Sequence, residues 1–499
     1  MADFKAVNVQ DVHVENVESA WPALLQAINN CEFLAMDLEL SGLGNRRQLM
    51  AYSVEERYKT LATTVRTRAV IAVGLSCFRR LNPSLDEVGE RWIAQTFDIS
   101  TLCSENYTVE PGALKFLIDH GFDFNKQYAK GLPYKRGNDQ GVEPEKSIRS
   151  LISLIFTSGR PLVMHNAMVD LAFLYGSFYA DLPNTFDQFI ADTSVMFASG
   201  LYDTKVISEY HMRLPASYLQ YVFRHSQRRN YKDSVAGRRH ISLIFLSPVL
   251  SANIDTIKCK LRSSFTAASQ RSGAASTEAA VQKSDICEKF AAYGFCHLNN
   301  SCPKSHDLDD ILDVEDAEIA KKSRKRRQRA ERKAAARSGT NGSAETHLSE
   351  GEVSSSDGDE ADSDDSEPPA KKICKSPAES SSGTGTQKVA VAKPGPANVA
   401  ASASLSSKPI RKWCTGSHRA GFDAFMTGFY LAYCLRQNAP KTKATGGDCV
   451  SSELFAPIWE HRNRINLSGK DKPMQLVKSH FAKTSQQHNE KWAKLVSKT

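Results

Sequence analysis

Along residues 1–255, short apolar runs alternate with segments of helical period, and this alternation predicts an α/β sheet. EFLAMDLEL (32–40), AVIAVGLSCF (69–78) and RPLVMHN (160–166) read as strands, too continuously apolar to keep a wet face. Between them, SAWPALLQAINN and PGALKFLIDHGF carry the apolar spacing of helices. Residues 256–283 turn rich in Ser, Ala, Gln and Thr and read as linker, and a short Cys/His-rich unit follows at 284–308. Residues 309–407 hold a basic run, an acidic Ser/Asp run and a Pro/Ala/Ser/Gly tract. Such a stretch buries too little apolar surface to offset its chain entropy and is expected to be a disordered arm. The folded pattern returns at 408–485, with GFDAFMTGFYLAYCLR and APIWEHRNRINL, and 486–499 reads as a flexible tail. The second folded piece is small for a core of its own. Composition leaves open whether it completes the first piece across a long insertion or folds separately.

At roughly 150 residues per domain, 499 residues accommodate two or three domains. No apolar run is long enough to span a bilayer, so no membrane partner is expected. MADFKAVNVQDVHVENVESAW lacks the basic start and apolar stretch of a secretory signal. Eleven cysteines, an odd number spread thinly, do not make a disulfide framework and point to a reducing compartment. The net charge of +8 hides an asymmetry. Residues 321–337 carry ten Lys/Arg and one Glu, whereas residues 338–370 carry ten Asp/Glu and no Lys/Arg. The remainder is therefore basic by itself, which favours a polyanionic partner, nucleic acid first.

Three strings carry candidate chemistry. In FLAMDLELSGL, Asp37 and Glu39 interrupt an apolar strand, and a period of two sends both side chains to one face. Two carboxylates leaving a buried strand together repel and lose hydration, a cost that a hard cation between them would remove. An acidic edge strand facing water is the plainer alternative. In RPLVMHNAMVDLAFLY the strand stops at His165-Asn166, Asn166 is a candidate helix cap, and Asp170 falls about one turn in, where the helix dipole favours an acid. A merely helix-stabilising acid would look the same. In CTGSHRAGFDAFMTGFYLAYC, His418 precedes and Asp423 lies within a helix patterned by Phe422, Phe425, Phe429 and Leu431. That offset suits two groups beside one cleft, and equally a capping His and a solvated Asp.

Taken in order, D-x-E on a first strand, H-N-x-x-x-D at a strand-to-helix junction and H-x-x-x-x-D at a later helix resemble the DEDD superfamily of 3′-to-5′ exonucleases, in its DEDDh form. H-R-A-G-F-D-A-F-M-T-G and LYDTKVI (201–207) resemble the deadenylase branch that includes the poly(A)-specific and Pop-type ribonucleases. The resemblance covers about 1–250 and 408–485. It implies one RNase H-like α/β domain, a mixed sheet with flanking helices, interrupted by the insertion. It also implies that Asp37, Glu39, Asp170 and Asp423 hold two divalent metals, Mg²⁺ or Mn²⁺. Two such metals activate an attacking water and stabilise the leaving 3′ oxygen. His418 would be the general base. Asp203 is then a neighbouring structural residue and Asp192 a decoy. The implied reaction releases nucleoside 5′-monophosphates from RNA with a free 3′-OH end.

CEKFAAYGFCHLNNSCPKSH places Cys287, Cys296, Cys302 and His306 in the pattern C-x8-C-x5-C-x3-H. Three thiolates and an imidazole suit a closed tetrahedral Zn²⁺ site, and metal binding would supply the folding energy of so small a unit. The spacing resembles the CCCH zinc-finger family, which implies binding to single-stranded RNA. Tyr293 and Phe295 are then candidates for base stacking, with Lys289 and Lys304 near phosphates. A finger used for protein contact or for folding alone remains open. KKSRKRRQRAERK (321–333) reads as a nuclear import signal bound by an import receptor or as an RNA-binding arm, with a charged helix extending from the preceding acidic stretch as the plainer alternative. The order of parts resembles nuclear deadenylases, which implies adenine-rich or small nuclear RNA tails as substrates and Cajal bodies as a location. A non-catalytic RNA-binding protein on a nuclease scaffold and a DNA 3′ exonuclease are the alternatives.

Overall fold

The computed structural model describes residues 2–81, 88–138, 144–246, 253–270, 282–338, 418–439 and 454–497. The chain forms two compact units, Met1–Ala320 with Ile410–Thr499, and Lys321–Pro409. The first unit opens with β1 (Ala6–Val12), α1 (Val17–Asn30) and β2 (Phe33–Leu40). Two helices, α2 (Arg46–Leu49) and α3 (Val54–Thr67), and two long strands, β3 (Val70–Leu81) and β4 (Gly89–Cys103), follow. Then come α4 (Pro111–Asp119), α5 (Phe124–Lys130), β5 (Leu132–Tyr134), α6 (Ile148–Thr157), β6 (Leu162–Met164) and α7 (Met168–Phe178). After α8 (Phe186–Met196) the chain runs through β7 (Leu201–Asp203), α9 (Thr204–Val206), a π-helical turn (Ile207–His211), α10 (Leu219–Val235) and β8 (His240–Phe245). Next are β9 (Ile254–Lys258), α11 (Ser263–Gln270), α12 (Glu288–Tyr293) and α13 (Leu308–Ser338). Beyond lie α14 (Ala420–Asn438), a 3₁₀ helix (Ala456–His461), β10 (Arg464–Ile465), β11 (Met474–Gln475) and α15 (Gln486–Val496).

The main path of the sheet runs β11-β10-β7-β6-β2-β3-β4-β1-β9, with β5 and β8 also pairing with β4. β3 runs antiparallel to both its neighbours, β2 and β4, while β6, β7 and β10 continue parallel from β2. This mixed sheet with flanking helices is the α/β layering that the sequence predicts. Its two faces bury different clusters. Leu34, Met36 and Leu38 of β2 join one core, and Phe33 and Ala35 join the other, which holds Phe422, Phe425 and Phe429 of α14. The period of two therefore puts Asp37 and Glu39 on the face that α14 covers. Ala420–Arg436 of α14 are all buried, the pattern of a helix enclosed on every side.

Four expectations need correction. The stretch 256–283 is not all linker, because β9 pairs antiparallel with β1 and α11 buries Phe265, while 271–281 lies outside the described residues. The expected arm at 309–407 begins as helix. Asp309 and Asp310 favour the N-terminal end of α13, and Arg224 and Arg228 of α10 grip Asp309 at 2.7–3.4 Å. The rest of that arm, 339–407, and 408–417 of the second folded piece lie outside the described residues. Residues 486–496 form α15 rather than a tail. Ser485 caps the helix and donates to Asp192, and His488 Nδ1 meets the Tyr179 hydroxyl at 3.0 Å. Finally, Asn166 does not cap α7. It adopts φ +63°, and its side chain accepts from Asn466 Nδ2.

Among the described residues, no helix is long and apolar enough to cross a membrane.

Candidate active site

Asp37 and Glu39 stand on β2 two residues apart, and Asp423 enters from the first turn of α14. One carboxylate oxygen from each forms a group whose members lie within 4.8 Å of one another. Two glycines permit this convergence. Gly74 of β3 pairs with both Asp37 and Asp98, and a Cβ there would lie 1.8 Å from the Ala420 carbonyl oxygen. A Cβ at Gly421 would lie 2.9 Å from Val9 and 3.0 Å from the Phe97 carbonyl. The start of α14 thus rests directly on the backbone of the sheet, which carries Asp423 down to β2.

Asp170 lies in the first turn of α7 and is not a member of the tight trio, but its charge reaches both β2 acids. Burial, with repulsion from Asp98, pushes the Asp37 carboxyl up to about 7. Burial first, then neighbouring carboxylates, also raises Glu39, Asp170 and Asp423 well above the ordinary carboxyl range. Asp423 Oδ1 is buried with no hydrogen-bond partner. Crowded acids, Asp423 buried and the others half-buried, with an orphaned oxygen are the donor set a hard divalent cation takes.

His418 occupies the left-handed region at φ +73°, a conformation a non-glycine residue rarely adopts without support. Its Nδ1 lies 3.7 Å from Asp423 Oδ2, and the Gln220 amide nitrogen is 3.2 Å from its Nε2. Phe116 and His120 pack edge-on against the ring. The support comes from the next residue. Arg419 Nε meets Asp98 at 2.8 Å, its Nη2 meets Asp11 at 2.6 Å, and it also pairs with Asp255. Sequence reasoning missed this clamp. Asp98 interrupts apolar Phe97 and Ile99 as Asp37 interrupts β2, so a period-two scan of β4 offered a signal. Its tie to Arg419 spans a separation of 321 residues, for which the sequence offers none.

Asp203 is buried and accepts from four backbone N–H groups, those of Asn166, Ala167, Lys205 and Asn466. It fixes the junction before α7 and ties it to the segment after the insertion. Asp192 accepts from the Tyr175 hydroxyl and from the backbone and hydroxyl of Ser485. Both carboxylates are engaged in holding structure. His165 lies against Thr204 at 2.9 Å, and burial lowers it to about 3, so it is a neutral imidazole near neutral pH.

The Cys287, Cys296, Cys302 and His306 donor atoms form a second group within 4.8 Å, and His306 Nε2 is buried without a partner. The Phe290 ring stacks on His306 at 4.5 Å and meets Tyr218, just before α10, edge-on. Ile286, Leu308 and Ile311 join the core that holds α14, so the finger is seated on the first unit rather than isolated. Tyr293 and Phe295 remain 75% and 59% exposed, and Lys289 and Lys304 are exposed as well.

The family model described as CAF1 family ribonuclease matches residues 12–147 and 138–431. A pre-piRNA 3′-exonuclease trimmer of Bombyx mori is 27% identical over 143 residues, covering 26% of this chain and 26% of its own. The poly(A)-specific ribonuclease PNLDC1 of Mus musculus is 23% identical over 153 residues, covering 28% and 27%. The chain thus spans about a quarter of the length of these curated relatives. Among solved structures, S. pombe Pop2p in its Mg²⁺- and Mn²⁺-bound form matches with a TM-score of 0.34 and 20% identity, over 44% of this chain and 82% of that one.

Proposed function

The chain belongs to the CAF1 family of ribonucleases, and from that premise we propose that it is a 3′-to-5′ exoribonuclease of the deadenylase type. It shortens RNA from a free 3′-OH end and releases nucleoside 5′-monophosphates. The observation that carries this reading is the meeting of Asp37, Glu39 and Asp423, with Asp423 Oδ1 left without a partner. Those three and Asp170 would hold two Mg²⁺ or Mn²⁺ ions, which when bound supply an activated water and stabilise the leaving 3′ oxygen. His418, beside Asp423 at the mouth, takes the proton from the attacking water. Arg419 holds the backbone that presents His418, and Gln220 orients its ring.

Cys287, Cys296, Cys302 and His306 would hold Zn²⁺, and the finger offers Tyr293 and Phe295 for stacking on single-stranded RNA. The basic run 321–333 is part of α13, with 321–332 exposed, and serves in that helical form as a nuclear import signal read by an import receptor. The order of parts favours adenine-rich or small nuclear RNA tails as substrates and Cajal bodies as a location. The test incubates full-length protein with 5′-labelled RNAs ending in A, U or mixed tails, with Mg²⁺ and with chelator. Mg²⁺-dependent ladders that retreat from the 3′ end, fastest on A, are expected. No shortening on any tail would sink the enzymatic reading.

A further inference from the structure

A third donor cluster lies in the nuclease body apart from both sites already described. His211 closes the π-helical turn after β7, and Glu460 and His461 close the 3₁₀ helix that precedes β10. His461 Nε2 is 3.3 Å from His211 Nδ1 and 3.2 Å from Glu460 Oε1, and His211 Nδ1 is 3.8 Å from the same oxygen. Two ligands on one zinc, each at about 2.0–2.1 Å and at the tetrahedral angle, stand about 3.3 Å apart. The three separations thus nearly match three corners of a tetrahedron of zinc ligands. His461 is only 5% exposed on its side chain, and its Nδ1 is buried without a partner. Glu460 is 66% exposed, so the group lies at the surface of the body where an ion can reach it.

We propose that His211, His461 and Glu460 form a binding site for a borderline divalent cation, Zn²⁺ first. Two imidazoles and one carboxylate are a donor set suited to zinc rather than to Mg²⁺. The site's position assigns its role. It joins a turn in the first half of the chain to a helix beyond the insertion, 250 residues later. Around it the same two segments meet through Asn463, which exchanges hydrogen bonds with Leu201, and through Asn466, which donates to Asp203. An ion here staples the strand pair β7–β10 and so steadies the Asp203 junction that sets α7. It is a structural ion and touches no substrate. The plainer arrangement is a hydrogen-bonded histidine pair with a carboxylate at its rim.

The test counts zinc per chain in the full-length protein after equilibration with micromolar Zn²⁺ and millimolar Mg²⁺, the latter to keep the acidic site filled. His211→Ala is expected to lower the count by one zinc ion, both in the parent and in a Cys302→Ser background. Glu460→Gln, at an exposed position, is expected to weaken the same ion at least tenfold by competition with a chromophoric chelator. The melting temperature should rise with Zn²⁺ in the Cys302→Ser protein and not in Cys302→Ser/His211→Ala. An unchanged zinc count in His211→Ala, with Glu460→Gln titrating as the parent does, would overturn the proposal and leave the histidine pair.

Discussion

The carbonyl oxygen of Ala420 crosses Gly74 so closely that a methyl group on Gly74 would stand 1.8 Å from it. That approach lets a helix from beyond the insertion set Asp423 beside Asp37 and Glu39. Gly74→Ala must lift α14 off the sheet or displace β3. The expected outcome is a loss of about 1–3 kcal/mol or more, as for overpacked cores, with activity falling further than stability. Chemical denaturation and RNA shortening measured on the same preparation check this. A Gly74→Ala protein that keeps both would mean that the helix does not rest there.

Asp37→Asn and Glu39→Gln should separate function from stability. Each removes one member of a crowded acidic group, so each should slow RNA shortening by orders of magnitude with little loss of RNA binding. In chelator the same variants should melt at or above the parental temperature, because repulsion is relieved. Variants that shorten RNA at the parental rate, or that melt well below the parent in chelator, would contradict the assignment.

Stability in the absence of divalent metal should depend on pH in a defined direction. The folded Asp37 carboxyl titrates at about 7 against an ordinary 3.8. A raised carboxyl holds its proton more tightly folded than unfolded. Its contribution is therefore fully present below the unfolded value and lost as pH rises through the folded one. In chelator the melting temperature should fall between about pH 4 and pH 7. Mg²⁺ should flatten the fall by taking the place of protons. A profile in chelator that rises across this window would show that the acids are not crowded as described.

His418→Ala should affect turnover more than metal affinity. The ring lies beside Asp423 but outside the carboxylate trio. The variant should titrate with Mg²⁺ nearly as the parent does while its turnover falls by orders of magnitude. Parental turnover in His418→Ala would put the base elsewhere.

Much of this was legible in the residues. The alternation in β2 puts Asp37 and Glu39 on one face, and α14 reads as apolar all round because it is enclosed all round. What the sequence concealed depends on partners distant along the chain. Ser485–Val496 looks polar and terminal, yet Asp192 and Tyr179 capture it. Asn166 looks like a cap, but the buried Asp203 takes over the helix start and frees Asn166 to meet Asn466. The clamp of Arg419 on Asp11, Asp98 and Asp255 joins three strands that no local pattern links.

Tyr293 and Phe295 should matter only for longer RNA. They are exposed on the finger and make no part of the carboxylate site. Tyr293→Ala with Phe295→Ala should leave zinc content and the rate on a short oligoadenylate unchanged. Affinity for longer RNA should fall by about 1–3 kcal/mol per base released from stacking. Equal affinity at every length would assign the finger to protein contact or to folding.

The proposed catalysis depends on the carboxylates gathered from β2 and α14. Its most direct measurement is the rate at which full-length protein and folded Asp423→Asn shorten a 5′-labelled oligoadenylate in Mg²⁺. The parent should retreat from the 3′ end nucleotide by nucleotide and stop on adding chelator, and Asp423→Asn should be slower by orders of magnitude. An Asp423→Asn protein that shortens the RNA at the parental rate, or parental activity that persists in chelator, would contradict it.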